Sequence, residues 1–256
     1  MSNLVKTSLE IENIRKSCLL LAQLMSEIEP MVQAGVTPLA IDKFAYDWIL
    51  EHNAKPAFLG YGKFPNTLCI GKNDMATHGV PTKEPFKNSD IVTIDSGLVF
   101  NGMYSDMART YFIGNVAPDT IKFVNTVQIA LNNAISSAIV GNHVGDISNA
   151  IHSTVRPFGY SPLVEFVGHG IGTKLHEEPA IPGAYGRPGE GLELKPGMTL
   201  AIETLVNMGS PKVIISKKDG WTTHSVDGSL FALFENTILI TESGPEILTQ
   251  VLDKTV

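Results

Sequence analysis

Asp95 in IVTIDSGLVF and Asp106 in MYSDMARTYF flank an Asn101-Gly102 pair. That pair closes two-residue hairpins, because both residues tolerate the positive φ such turns require. If the turn forms, Asp95 opposes Ala108, and Asp106 lies on the same face one diagonal step away, roughly 7–8 Å at Cα. Two carboxylates on one face of an apolar hairpin repel each other and resist leaving water. Either the face is wet or a cation bridges the pair, and a cation needs further ligands.

Candidates for those ligands lie downstream. His169 stands between glycines in VGHGIG, where backbone approaches closely, and Glu203 in MTLAIETLV and Glu235 in LFALFENTILIT are acids inside apolar β-like runs. Taken singly, each reads as an ordinary residue: a packed histidine, a strand acid facing water. Taken together, four carboxylates and one imidazole suit hard or borderline divalent metals, and four negative charges balance two such cations.

The elements that must position these residues are partly legible. Thr7-x-x-Glu10 is a capping box ahead of Ile11, Ile14, Cys18, Leu21, Leu24 and Ile28 at helical spacing, with Pro30 expected to close the helix. Thr37-Pro38 opens a second helix presenting Ile41, Phe44, Trp48 and Ile49. Helical spacing returns over about 118–140, with Val124, Val127, Leu131 and Ala134 on one face, and again over about 145–157 before Gly159. Residues 54–82 are rich in Gly, Pro and aromatics, 90–114 alternate like strands, and short β-like runs fill the chain after 162. The simplest organisation is one α+β domain over 1–256.

Composition excludes several classes. With 256 residues and 43% hydrophobic content the chain can bury a substantial core. A net charge of −7 argues against nucleic-acid binding. Two cysteines, Cys18 and Cys69, are too few for a disulfide scaffold. The N-terminus lacks a signal-peptide core, and the longest apolar run, CLLLAQLM, is too short to span a membrane. A soluble cytoplasmic protein, without membrane or nucleic-acid partners, is expected.

In the order KPAFLGYGKFPNTLCIGKNDMATHGVP, IDSGLVFNGMYSDMARTYFIG, GHGIGTKLHEEP, LKPGMTLAIETLVN, DGWTT and LFENTILIT, the chain resembles type I methionine aminopeptidases from about residue 6 to 249. The resemblance implies the pita-bread fold, two α+β halves related by a pseudo-twofold around a curved antiparallel sheet backed by helices. It implies two divalent ions (Mn, Fe, Co or Zn) on Asp95, Asp106, His169, Glu203 and Glu235. Asp106 and Glu235 would bridge, Asp95 would hold one ion, and His169 with Glu203 the other. Glu203 would also serve as general base, His176 would meet the oxyanion or scissile amide, and His78 the substrate backbone. Phe58, Tyr61, Phe64, Cys69 and Trp221 would line the methionine pocket, with Leu175 beside it, since aromatic and sulfur contacts suit a thioether. The implied activity is removal of N-terminal methionine from peptides and nascent chains, at the ribosome among other places, by a monomer that prefers small second residues.

The chain departs from the family pattern at Thr204 (usually Pro), Asn236 (usually His), Leu233 (usually Gln), Phe58 (usually smaller) and Leu175 (often aromatic). None of these removes a ligand. Two other readings compete. YSDMARTYFIG also resembles the Xaa-Pro peptidases, which carry an extra N-terminal domain for which this chain has no room. A non-catalytic binding protein on the same scaffold would not be expected to keep so costly a cluster of acids. His52, His143, His152 and His224 match no motif and read as surface or packing residues.

Overall fold

The computed structural model describes residues 4–250. Helix α1 spans Ser8–Ile28. Thr7 Oγ1 accepts the Glu10 N–H at 3.3 Å and the Glu10 carboxylate accepts the Thr7 N–H at 2.7 Å, so the capping box forms as read. This helix stops at Ile28, with Glu29 as its C-cap, just ahead of Pro30 as expected. The chain runs on through a 3-10 turn over Glu29–Met31, where a proline in the first positions gives up only an amide that has no helical partner. Helix α2, Pro38–Glu51, starts on Thr37 as expected. Helix α3 covers Pro118–Ser136, shorter than its sequence span, and α4 covers Val144–Val155 before a 3-10 turn ends at Gly159 with φ 80°.

Among the described residues, twelve strands follow the chain: β1 Lys55–Pro56, β2 Leu68–Lys72, β3 Ile91–Phe100, β4 Met103–Phe112, β5 Ser161–Pro162, β6 Val167–Gly170, β7 Glu177–Pro182, β8 Thr199–Asn207, β9 Val213–Ile215, β10 Thr223–Ser225, β11 Phe231–Thr241 and β12 Gly244–Ile247. Ten form one antiparallel sheet whose main path is β1-β3-β4-β11-β8-β6-β7, while β9 and β10 pair separately. The β3–β4 turn is the expected Asn101-Gly102 pair, with φ of 50° and 78°.

Alternation decides which face is which. Ile94, Met107, Ile202 and Phe234 point to the helical side, where α1 and α2 pack on β2–β4, α3 packs on β8 and β11, and α4 packs against α3, β5 and β7. Ala108, Leu205 and Leu233 point to the opposite, concave side. The acids at odd positions therefore face away from the helices, onto the side that forms the pocket.

Candidate metal centre and substrate pocket

The register assembles the acids. Asp95 opposes Ala108 across β3–β4, as the turn predicts; Ala108 opposes Glu235 across β4–β11; and Glu235 opposes Glu203 across β11–β8. One row across four strands thus carries Asp95, Glu235 and Glu203. A second row, two residues on, carries Asp106 on β4 and Thr237 on β11, and then Ala201 on β8 facing His169 on β6. Thr237 Oγ1 joins β11 to β4 there, donating to the Asp106 carbonyl at 2.8 Å and accepting its N–H at 3.1 Å. All five residues named from sequence share one face.

That cluster is short of counter-charge. Asp106 and Glu235 are 4% and 2% exposed, and Asp95 Oδ1 and Glu235 Oε1 are buried without a hydrogen-bond partner. Burial pushes all four carboxylates well above the usual acid range, and neighbouring carboxylates push Asp106, Glu203 and Glu235 further. His169 is driven the other way, to about 4, by burial and then by His176. Its Nδ1 lies 2.9 Å from the Gly170 carbonyl, which places the proton there and leaves the Nε2 lone pair aimed at the acids, 3.9 Å from Asp106 Oδ2. Ligand atoms of Asp106, His169 and Glu235 lie within 4.8 Å of one another. Orphaned carboxylate oxygens, a neutral imidazole and an oxygen-rich donor set fit divalent cations.

Behind the acids, Arg109 ties the strands together. Its Nη1 donates to the Glu235 carbonyl at 2.6 Å and the Ala108 carbonyl at 2.8 Å, and its Nη2 to Asn236 Oδ1 at 2.8 Å. Thr249 donates to the same Asn236 oxygen at 2.9 Å and accepts the Thr237 N–H at 3.1 Å. Thr204 Oγ1 donates to the Phe234 carbonyl at 3.1 Å. Two departures from the family pattern, Asn236 and Thr204, are therefore knitted into the sheet beneath the ligands.

A cavity of about 330 Å³ opens onto this cluster, and its walls include every pocket residue expected from sequence. Phe58, Phe64, Cys69 and Leu175 are buried walls, and Phe64 meets Trp221 edge-on at 5.4 Å. Tyr61 lines the cavity as well. It is 48% exposed and stands at the rim, with its hydroxyl 2.8 Å from His176 Nδ1. The His176 ring packs 4.4 Å from that of His169. His78 has φ 55°, and its ring lies edge-on to Phe166 and Trp221 at 5.1 and 6.2 Å. Gly79 follows it because a Cβ there would strike the Ile70 carbonyl.

Sequence reading missed Thr77, Glu165, Phe166, Val167 and Leu205 in the lining. Phe166 and Val167 directly precede the GHG run, which was the available signal. His52 stacks on Trp48 at 3.6 Å and His224 pairs with Asp74 at 2.9 Å, as packing and surface residues do.

The profile of metallopeptidase family M24 matches residues 12–242. The chain belongs to this family. A methionine aminopeptidase of Clostridium perfringens is 42% identical to this M24 chain over 97% of it and 99% of the relative. The crystal structure of methionine aminopeptidase from Rickettsia prowazekii superposes with TM-score 0.93 at 37% identity, covering 96% of this chain and 99% of that one, so the pita-bread architecture holds. A prolidase of Pyrococcus furiosus, 24% identical, shares the fold with TM-score 0.79, and this chain covers 65% of it. Among the described residues of this M24 peptidase, no helix is long and apolar enough to cross a membrane.

Proposed function

We propose that this M24 peptidase is a methionine aminopeptidase, with 1–256 acting as one catalytic domain. The observation that carries the reading is the direct opening of an apolar, sulfur- and aromatic-walled cavity onto the row of acids. An unbranched thioether fills such a slot, and the bond after the first residue then lies over the cluster.

In this reading Asp95, Asp106, His169, Glu203 and Glu235 hold two divalent cations. Bound there, such ions polarise a carbonyl and lower the pKa of water, supplying a nucleophile near neutral pH. Glu203, at the edge of the row, accepts the proton and returns it to the leaving amine. His176, kept neutral by burial and accepting the Tyr61 hydroxyl at Nδ1, turns Nε2–H toward the scissile carbonyl. His78 holds the substrate backbone, while Phe58, Tyr61, Phe64, Cys69 and Trp221 select the side chain. Tyr61 and Trp221 at the rim restrict the second residue, favouring Gly or Ala. N-terminal methionyl peptides and nascent chains, met in the cytoplasm and at the ribosome by a monomer, are the partners of this reading.

A kinetic panel tests it: Met-Gly, Met-Ala, Met-Leu and Xaa-Pro peptides, each with Mn, Fe, Co or Zn. Met-Gly and Met-Ala peptides should be cleaved fastest with at least one metal. Faster turnover of Xaa-Pro peptides would move the protein to the proline-specific branch of the fold.

A further inference from the structure

The loop that carries His176 is tied to the start of the chain. Lys6 Nζ donates to Glu177 Oε2 at 2.6 Å, and the two side chains are only 4% and 1% exposed. The other carboxylate oxygen of Glu177 accepts the Thr173 hydroxyl at 3.0 Å and the Lys174 N–H at 3.1 Å. One carboxylate, adjacent in sequence to His176, therefore gathers the whole 173–177 turn.

Lys6 is itself held firmly. Its N–H donates to the Gly197 carbonyl at 2.8 Å, Val5 bridges to Met198, and Thr7 caps α1. On the far side of the loop, Tyr104 N–H donates to the Gly172 carbonyl at 2.8 Å. A Cβ on Gly172 would press into the end of the Lys6 side chain, so the lysine packs closely on this glycine beside Glu177. The reach is short and enclosed.

An ion pair taken out of water stabilises a fold no better than an apolar pair of the same shape, because both ions lose their hydration. Its advantage is direction. The hydroxyl of half-exposed Tyr61 and the ring of His169 also touch His176, but both meet only its ring. We infer that Lys6 is a positioning residue for the hydrolytic reaction, holding the backbone at His176 through Glu177. The inference rests on the reading of His176 as a substrate-facing group.

A double-mutant cycle on the full-length, metal-loaded protein tests it with a Met-Ala peptide. The variants are Lys6→Met, His176→Ala and both together, with Glu177→Gln as a second break of the pair should Lys6→Met not fold. Metal content and Tm are measured alongside kcat and KM. Lys6→Met and Glu177→Gln should each lower kcat by roughly ten- to a hundredfold, the scale of an ångström's misplacement, with KM within about twofold and metal content unchanged. In the His176→Ala background the Lys6→Met change should cost less than about twofold, because the group it positions is gone. Equal losses in both backgrounds, wild-type kcat in folded variants, or failure of both Lys6→Met and Glu177→Gln to fold would overturn the positioning role. A wild type that turns over no methionyl peptide would overturn the proposed function itself, which is a separate outcome.

Discussion

His176 separates ligand chemistry from substrate chemistry. It packs against His169 yet gives its Nδ1 to Tyr61 rather than to an acid. His176→Ala should leave metal content intact and lower kcat and kcat/KM together, by about 10²–10³ as for a lost oxyanion donor. Loss of ions from the variant would make it a ligand instead. Tyr61→Phe should give a smaller fall in kcat with KM little changed, since the ring stays at the rim while the hydroxyl that fixes the imidazole is gone. At this scale the sequence was informative about types: four acids and a glycine-flanked histidine name a metal site. The role of the Tyr61 hydroxyl was not legible, because it depends on a contact between loops 115 residues apart.

Between elements, the decisive fact is that β11 pairs with both β4 and β8, which lines Glu235 up with Ala108 on one side and Glu203 on the other. The local half of this row was readable, since Asn101-Gly102 fixes the register of Asp95 and Asp106. The β11 pairings are long-range and leave no local trace in spacing. Pro30, by contrast, is a local signal that was readable: the α-helix stops at Ile28 just ahead of it, and a tighter turn takes it in. Arg109 and Asn236 hold the β4–β11 junction, so Asn236→Leu should leave a half-buried guanidinium short of an acceptor and loosen the strand that presents Glu235. Titration of Mn into the stripped variant should show binding weakened by about 10–100-fold, as for other groups that orient ligands, with peptide KM little changed. Unchanged metal affinity would reduce the Arg109–Asn236 contact to packing.

The whole molecule must fold around four acids on one concave face. Burial raises all four carboxylates in the stripped protein, Asp95 to about 7, and neighbouring carboxylates push Asp106, Glu203 and Glu235 further. A carboxyl whose pKa is higher folded than unfolded binds protons more tightly in the native state. Its contribution to stability is therefore full below the ordinary acid range near 4 and is lost as pH rises toward neutrality. The chelated protein should accordingly melt lower at pH 8 than at pH 5.5. Cations that bind the native state act in the opposite sense, adding about 2.7 kcal/mol at a hundredfold excess over Kd, and they bind best when the acids are ionised. The Tm gap between loaded and stripped protein should thus widen from pH 5.5 to pH 8, and adding Mn or Co should restore both Tm and activity. Asp106→Asn removes one of the repelling charges, so its stripped form should melt no lower than stripped wild type at pH 8 while most activity is lost. Calorimetry of both proteins, loaded and stripped at the two pH values, checks all of this. A gap that narrowed with pH, or a wild type indifferent to chelation, would mean that these five residues do not form a metal centre.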